Sequence, residues 1–350
     1  MLTKRNAIQI STSSHVVLKN SDKRSNRMAT DKLQECCPDL LILSLPLRNK
    51  FRGITTREVA IFRGPSGWTE FGPFLEYDDQ EAATWMQAAM EAAQEPWPKL
   101  YHEKIAINAT LPLVEPELVR QILERFPGCK TVKIKVNDFE NGARIVEETL
   151  NIHPEMRIRL DVNAGWSASQ AINNLLEYHL RFGNVFEYVE QPCATLKELA
   201  RVKKEIPIPI AADESIRKNL SGDFRDFSEY AAYAILKWQP VGGFAAAHKL
   251  AEAIGLPVVI SSALETGVGI SHGLALAASF ENPSLACGLG TVALFESDMC
   301  NPTSLVTDGY LEVKRREPVN YERYLASSDR IEYWKQRILR VLQVIEGRTE

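Results

Sequence analysis

The chain has 350 residues, 45% hydrophobic and 25% charged, a globular composition long enough for one large α/β barrel and a smaller domain. A net charge of −4 and a pI near 6.0 argue against a nucleic-acid partner, and no uninterrupted apolar run reaches the roughly 18 residues that a membrane helix needs. Six cysteines, at 36, 37, 129, 193, 287 and 300, show no CxxC pair and no framework spacing, so they read as reduced thiols of a cytoplasmic protein.

Residues 1–37 are polar and mildly basic, with Lys19, Lys23, Arg24 and Arg27 among Ser and Asn, and read as a disordered extension. They carry no apolar core of a secretory signal, and Met28 is a second candidate start beside Met1. From Leu40 the pattern changes. LLILSLPL and TTREVAIFRG read as strands, and the Ala-rich run from 79 to 94 as a helix, so residues 38–103 are expected to form a small α+β domain.

From about residue 104 strands and helices alternate. The strand candidates are KIAINATL, TVKIKV, RIRLDVN, VFEYVEQ, IPIAADE, YAILKWQ, LPVVISS and SLACGLG, with helical runs such as SASQAINNLLEYHLRF and FAAAHKLAEAIG between them. Eight such strands predict a closed parallel barrel over 104–315, and the absence of GxGxxG after the first strand argues against a dinucleotide fold. The last stretch, 316–350, contains one helical pattern, RIEYWKQRILRVLQVIEG, expected to pack on the barrel or on the small domain.

Five ionisable residues recur within this pattern: Lys135, Asp161, Glu190, Asp213 and Lys237 lie 23 to 29 residues apart, about one strand–helix unit each. At the C-terminal ends of successive barrel strands they would converge on one mouth. Any one of them alone reads equally well as a solvated strand end. Lys133 and Arg159, two residues before Lys135 and Asp161, point inward with them, and charges at alternate positions of apolar strands need partners, since unpaired burial costs several kcal/mol. Three carboxylates without matching His or Cys favour Mg²⁺, with Mn²⁺ the alternative, over zinc. A lysine acting as base must be neutral near pH 7, which desolvation and adjacent positive charge promote. The ion would hold a substrate carboxylate and stabilise the enediolate left when its α-proton departs.

Weaker signals are mostly structural. The histidines are scattered, and only His272, in GISHG, is a site candidate. Gly242-Gly243 reads as a strand-to-helix turn, whereas Gly288 and Gly290 in CGLGT could turn backbone N–H groups toward an anion. Trp166, Trp238 and Tyr188 read as core, and Cys193 has no neighbouring base.

At K-I-K (133–135), L-D-V-N (160–163), V-E-Q-P (189–192), A-D-E-S (212–215) and L-K (236–237) the chain resembles the enolase superfamily, in which a capping α+β domain covers a modified (β/α)₇β TIM-like barrel. The resemblance implies that Asp161, Glu190 and Asp213 ligate Mg²⁺. Within it, INATLPLVEPELV, EYVEQPCATLKELA, PIAADESIRK, LPVVISSALETGVG and ACGLGT resemble the o-succinylbenzoate synthases of actinobacterial type. That implies syn dehydration of 2-succinyl-6-hydroxy-2,4-cyclohexadiene-1-carboxylate, a small carboxylate, to 2-succinylbenzoate in menaquinone biosynthesis. It further implies Lys135 as the base and Lys237 as the group facing the intermediate. Lys133, Arg159 and Asn163 would lie near the substrate carboxylate and metal, Ser262 and Gly288 near the succinyl tail, and Phe51, Arg52 and Gly53 in a lid. A monomer is expected rather than a homo-oligomer.

The alternative on the same scaffold is an isomerase, an N-succinylamino acid racemase or a dipeptide epimerase, with Lys135 and Lys237 as opposed bases. The K-W-Q-P-V-G-G stretch after the sixth strand, where racemase-type relatives tend to carry K-P-G-R-x-G-G, favours the dehydratase. A Schiff-base aldolase and a non-enzymatic binding protein are further readings, the latter weakened because none of the five groups is missing.

Overall fold

The computed structural model describes residue 28 and residues 30–283, 285–301 and 304–349. Most of the expected extension, 1–27, lies outside these. Its remainder departs from expectation: residues 30–36 are helical (α1), with Leu33 and Cys36 against the core and Cys37 buried. One helical turn gathers these three apolar side chains, too few to register as periodicity.

The cap is an antiparallel meander of β1 (Leu41–Phe51), β2 (Ile54–Gly64) and β3 (Gly67–Phe71). Arg52 and Gly53, both at positive φ, make the β1–β2 turn. Helix α2 (Asp79–Gln94) starts where the Asp78 carboxylate accepts from Glu81 N, and a mostly alanine face lets it lie close against the sheet.

A short strand β4 (Lys104–Ala106) precedes seven parallel strands: β5 (Ala109–Leu111), β6 (Thr131–Lys135), β7 (Arg157–Asp161), β8 (Phe186–Glu190), β9 (Ile210–Ala212), β10 (Tyr233–Leu236) and β11 (Val258–Ile260). They are hydrogen-bonded in chain order. Between them run α3 (Val119–Leu123), α4 (Phe139–Ile152), α5 (Ala168–Phe182), α6 (Leu196–Glu205), the single turn α7 (Glu214–Arg217) and α8 (Phe244–Ile254), with α9 (Gly267–Ala278) after β11. Capping boxes start α5 at Ser167/Gln170 and α6 at Thr195/Glu198. The expected eighth strand is reduced to single parallel bridges, Cys287 to Ile107 and Gly288 to Ser261, so a glycine-rich segment closes the curled sheet.

Beyond it, β12 (Cys300–Asn301) pairs with β14 (Glu317–Pro318), and β13 (Tyr310–Glu312) pairs with β4. The final helix α10 (Ser328–Thr349) packs on the cap: Trp334 meets Phe71 edge-on at 6.0 Å, and the Arg337 guanidinium donates to the Phe74 and Tyr77 carbonyls. Among the described residues no helix is long and apolar enough to cross a membrane.

The cap meets the barrel through two carboxylates, Glu70 buried and Glu91 half-buried. Glu70 on β3 accepts from Thr266 N, Thr266 Oγ1 and Gly269 N at the start of α9. Glu91 on α2 accepts from Phe244 N and Ala245 N at the start of α8. Each carboxylate therefore caps a barrel helix at its positive end. Gly243, at φ +108, leaves the room this needs, because a Cβ there would lie 1.8 Å from Glu91 Oε2.

Candidate active site

Side chains along a strand alternate, and the inward set forms two levels. In the lower level Thr110 pairs in register with Lys133, Lys133 with Arg159, and Arg159 with Tyr188. The upper level carries Lys135, Asp161 and Glu190, also adjacent in register, while Asp213 and Lys237 follow the last residues of β9 and β10. The five groups therefore meet at the C-terminal end of the strands, beneath the cap.

The acids are buried and grip lysines. Lys133 Nζ lies 3.0 and 3.1 Å from the Glu190 oxygens and 3.3 Å from Asp161 Oδ2. Lys135 Nζ donates to Asp161 Oδ2 at 2.9 Å and to Asn163 Oδ1 at 2.5 Å, and Lys237 Nζ to Asp213 Oδ2 at 2.5 Å. Burial opposes the charge on Lys133, but Glu190 and Asp161 outweigh it and hold the ammonium well above the usual lysine value. Burial likewise opposes the Asp161 charge, yet Lys135 and Lys133 keep that carboxyl well below the usual range. Glu190 is pushed up to about 7 by burial and by the Asp161 charge.

Among the described residues no three Asp, Glu, His or Cys side chains converge closely enough to hold an ion as they stand, because ammonium groups lie between the acids. The donor set nevertheless fits a hard divalent cation. Asp161 Oδ1 and Asp213 Oδ1 are buried without a hydrogen-bond partner, and a positive charge beside Glu190 and Asp161 relieves their mutual repulsion.

The other expected residues divide. Asn163, at φ +49, lines the cavity and holds Lys135. Ser262 lines it with its hydroxyl 2.8 Å from Thr291 Oγ1. Gly288 lines it too, and a Cβ there would lie 2.5 Å from Ser261 Oγ. Its N–H already donates to the Ile260 carbonyl, so it is not turned toward an anion as the sequence suggested. Gly290 is glycine because Ile107 and Phe126 crowd it. Arg159 is the clear correction. Fully buried in the lower level, it donates to Glu187 Oε2, Asn108 Oδ1 and the Ala286 carbonyl, and does not line the cavity. Alternation gives the face of a strand; Thr110 and Lys133 of the same level do line the cavity, and it is the bonds to Glu187, Asn108 and Ala286 that hold the Arg159 side chain away from it.

His272 is core rather than site: Trp97 Nε1 donates to its Nδ1, its Nε2 meets the Trp68 carbonyl, and burial drives it down to about 3. Cys193 is buried, its thiol pushed up to about 12. Trp166 and Trp238 are packed into the core, and Tyr188 lies under the Arg159 guanidinium at 4.8 Å.

Four contributors escaped the sequence reading. Arg217 lies 3.5 Å from Asp213 Oδ1 and 3.1 Å from Glu214 Oε1, and its place four residues after Asp213 on one turn was a usable signal. Glu214 lines the cavity, as does Thr110, whose buried hydroxyl has no partner. Gln191, fully buried at φ +40, accepts from Asp213 N and Ser215 N through Oε1 and donates from Nε2 to the Cys193 carbonyl and Ser215 Oγ. From the cap, Phe51 and Arg52 close the cavity; Lys135 Nζ lies 5.4 Å from the Phe51 ring, and Arg52 stacks on Phe74 at 4.1 Å.

Comparison with known proteins agrees with this layout. Residues 42–93 match the family model of the enolase N-terminal domain-like fold, and residues 117–318 that of the enolase C-terminal domain-like fold. The o-succinylbenzoate synthase of Mycobacterium ulcerans (strain Agy99) is 43% identical over 311 residues, covering 86% of this chain and 94% of its own. Among solved structures, the substrate-liganded L-Ala-D/L-Glu epimerase of Bacillus subtilis superimposes with a TM-score of 0.66 at 21% identity, over 83% of this chain and 98% of that one. The dipeptide epimerase of Enterococcus faecalis V583, complexed with Mg and the dipeptide L-Leu-L-Tyr, does so with 0.64 at 20% identity, over 80% and 97%. With relatives this similar along most of its length, and with both domain models matched, the chain belongs to the o-succinylbenzoate synthase family of the enolase superfamily.

Proposed function

We propose that this lyase converts 2-succinyl-6-hydroxy-2,4-cyclohexadiene-1-carboxylate to 2-succinylbenzoate and water, the menaquinone-pathway step, with Lys135 as its proton carrier. The observation that carries the residue assignment is the grouping of Lys135 and Lys237, on or just past strands β6 and β10, with the acids of the three strands between them. Asp161, Glu190 and Asp213 would hold Mg²⁺, or Mn²⁺ in its place. When bound, the ion supplies positive charge to the substrate carboxylate and to the negative charge that builds up as the α-proton leaves.

Lys135, as the free amine, takes the proton from the ring carbon bearing the carboxylate. The C–H electron pair first delocalises onto the carboxylate as an enediolate, and then enters the ring as the neighbouring C–O bond breaks. The same ammonium returns its proton to the departing hydroxyl, which leaves as water. One lysine serving both steps makes the elimination syn, and the product ring is aromatic. Asn163, bonded to Lys135, orients the amine. Lys133, kept charged between Glu190 and Asp161, adds positive charge where the carboxylate docks. Lys237 faces the ring from across the site, where its ammonium favours a delocalised anion. Ser262 and Gly288 form the wall offered to the succinyl tail. The cavity is narrow, and the Phe51–Arg52 hairpin forms its cap-side wall, placed to act as a lid.

The test is the rise in ultraviolet absorbance of the aromatic product with Mg²⁺ present, repeated with Lys135→Ala and Lys237→Ala. Removing the base should lower kcat by at least about 10³-fold; turnover within tenfold of wild type in Lys135→Ala refutes the assignment. Opposed lysines also suit a 1,1-proton transfer, so α-exchange of an N-succinylamino acid in D₂O is the second activity to measure. Efficient exchange with poor dehydration makes racemisation the main function.

A further inference from the structure

The cavity wall formed by Ser262, Ala263 and Leu264 is held from outside the barrel. Leu264 sits at φ +62, a left-handed conformation that a leucine rarely adopts unless its surroundings impose it. The group that grips this turn is Arg57 of β2, which is 2% exposed and does not line the cavity. Its Nε donates to the Leu264 carbonyl at 3.1 Å, and its Nη2 reaches the Ala263 carbonyl at 3.4 Å while also bonding the Gly72 carbonyl of the cap. From the other side, Glu265 Oε2 accepts from Ala263 N at 2.6 Å. Glu70, on the adjacent cap strand, ties down Thr266.

The charge balance explains why an arginine sits there. Burial pulls the Arg57 guanidinium down to about 10, and the fully buried Glu70 and Glu265 carboxyls beside it oppose that shift. The Glu70 carboxyl in turn is pushed up to about 8, by burial and by Glu265. Only a planar fork reaches the Leu264, Ala263 and Gly72 carbonyls together; a lysine in the same place presents one point charge.

We propose that Arg57 is a positioning residue for substrate recognition: by fixing the left-handed turn at Leu264 it sets the wall that receives the substituent next to the ring carboxylate. This rests on the dehydratase reading. It goes further in making a cap residue that touches neither substrate nor cation a determinant of affinity for the tail, separate from proton transfer.

The experiment compares wild type with Arg57→Lys, which keeps the charge but loses the fork. KM for the dehydration substrate should rise about tenfold with kcat within about threefold of wild type. Inhibition by 2-succinylbenzoate should weaken about tenfold, while inhibition by benzoate, which has no tail, stays unchanged. Hydrogen exchange of the amides of residues 261–266 should accelerate about tenfold, with the β6–β8 amides unaffected. Arg57→Gln, whose amide reaches one carbonyl, gives the same split should the Lys variant not fold. Unchanged exchange at 261–266, or unchanged inhibition by 2-succinylbenzoate, overturns the proposal. So does weakening of both inhibitors in step with a fall in kcat, which is what general loosening of the fold produces. Failure of the wild type to form 2-succinylbenzoate refutes the dehydratase reading instead, and the exchange data still decide whether Arg57 holds the loop.

Discussion

Replacing Gln191 with leucine tests the support beneath the acid cluster. The glutamine amide is buried at the end of β8 and bonds Asp213 N at 3.0 Å, Ser215 N at 3.1 Å, the Cys193 carbonyl at 2.8 Å and Ser215 Oγ at 2.6 Å. Leucine fills a similar volume but leaves Asp213 N and the Cys193 carbonyl buried without partners. At about 1–3 kcal/mol for each such group, the loss comes to about 2–6 kcal/mol. An unfolding entropy of about 2.1 cal/mol/K per residue gives about 0.7 kcal/mol/K for a 350-residue chain, so Tm should fall by roughly 3–8 °C. Because the same amide orients the Asp213 backbone, Mg²⁺ affinity should fall about 10–100-fold as well. Scanning calorimetry reads the first effect and isothermal titration with Mg²⁺ the second. A Tm within about 1 °C of wild type together with unchanged Mg²⁺ affinity refutes the claim that this amide positions Asp213.

Other outcomes follow from the same structure. Adding Mg²⁺ at about 100 times its Kd should stabilise the protein by about 2.7 kcal/mol, a Tm rise of roughly 4 °C that Asp161→Asn and Asp213→Asn lose; EDTA should abolish dehydration. His272 stays neutral in the folded protein down to about pH 3, held low by burial and by Arg315, against 6.5 when unfolded. The unfolded chain therefore binds the extra proton, and stability falls as pH drops from 6.5 toward 3. His272→Gln should remove about 2 kcal/mol of the loss between pH 7 and 5, read from urea denaturation at the two pH values. Glu91→Ala uncovers Phe244 N and Ala245 N at the start of α8 and should lower stability by about 1–2 kcal/mol without changing KM by more than about twofold.

The convergence of the five ionisable groups was legible because two periodicities coincide: alternation along a strand sets the face, and the length of a strand–helix unit sets the next strand. Neither tells where a long side chain ends. Arg159 shares a face with Asp161 and so read as a site residue, although its guanidinium is taken up by Glu187, Asn108 and Ala286, while Thr110 and Lys133 of the same level reach the cavity. Gln191, Arg57 and Glu70 were invisible for a different reason. Their partners are backbone groups, or residues some two hundred positions away, and neither leaves a pattern in local composition. The last strand was overcalled because CGLGT has the apolar character of a strand, while close approach of Gly288 to Ser261 limits its pairing to single bridges. A helix over 30–36 was missed because three apolar side chains among charged ones are too few to announce a face.

The glutamates that close the ends of α8 and α9 bear on how such an enzyme can be rebuilt. Transplanting the front module from a distant cousin onto this rear module exchanges not only a covering but two acidic acceptors seated on the scaffold beneath. A chimera lacking acids at both places should express poorly even with an intact reaction centre, and restoring the pair should recover it before any contact with the ligand is redesigned.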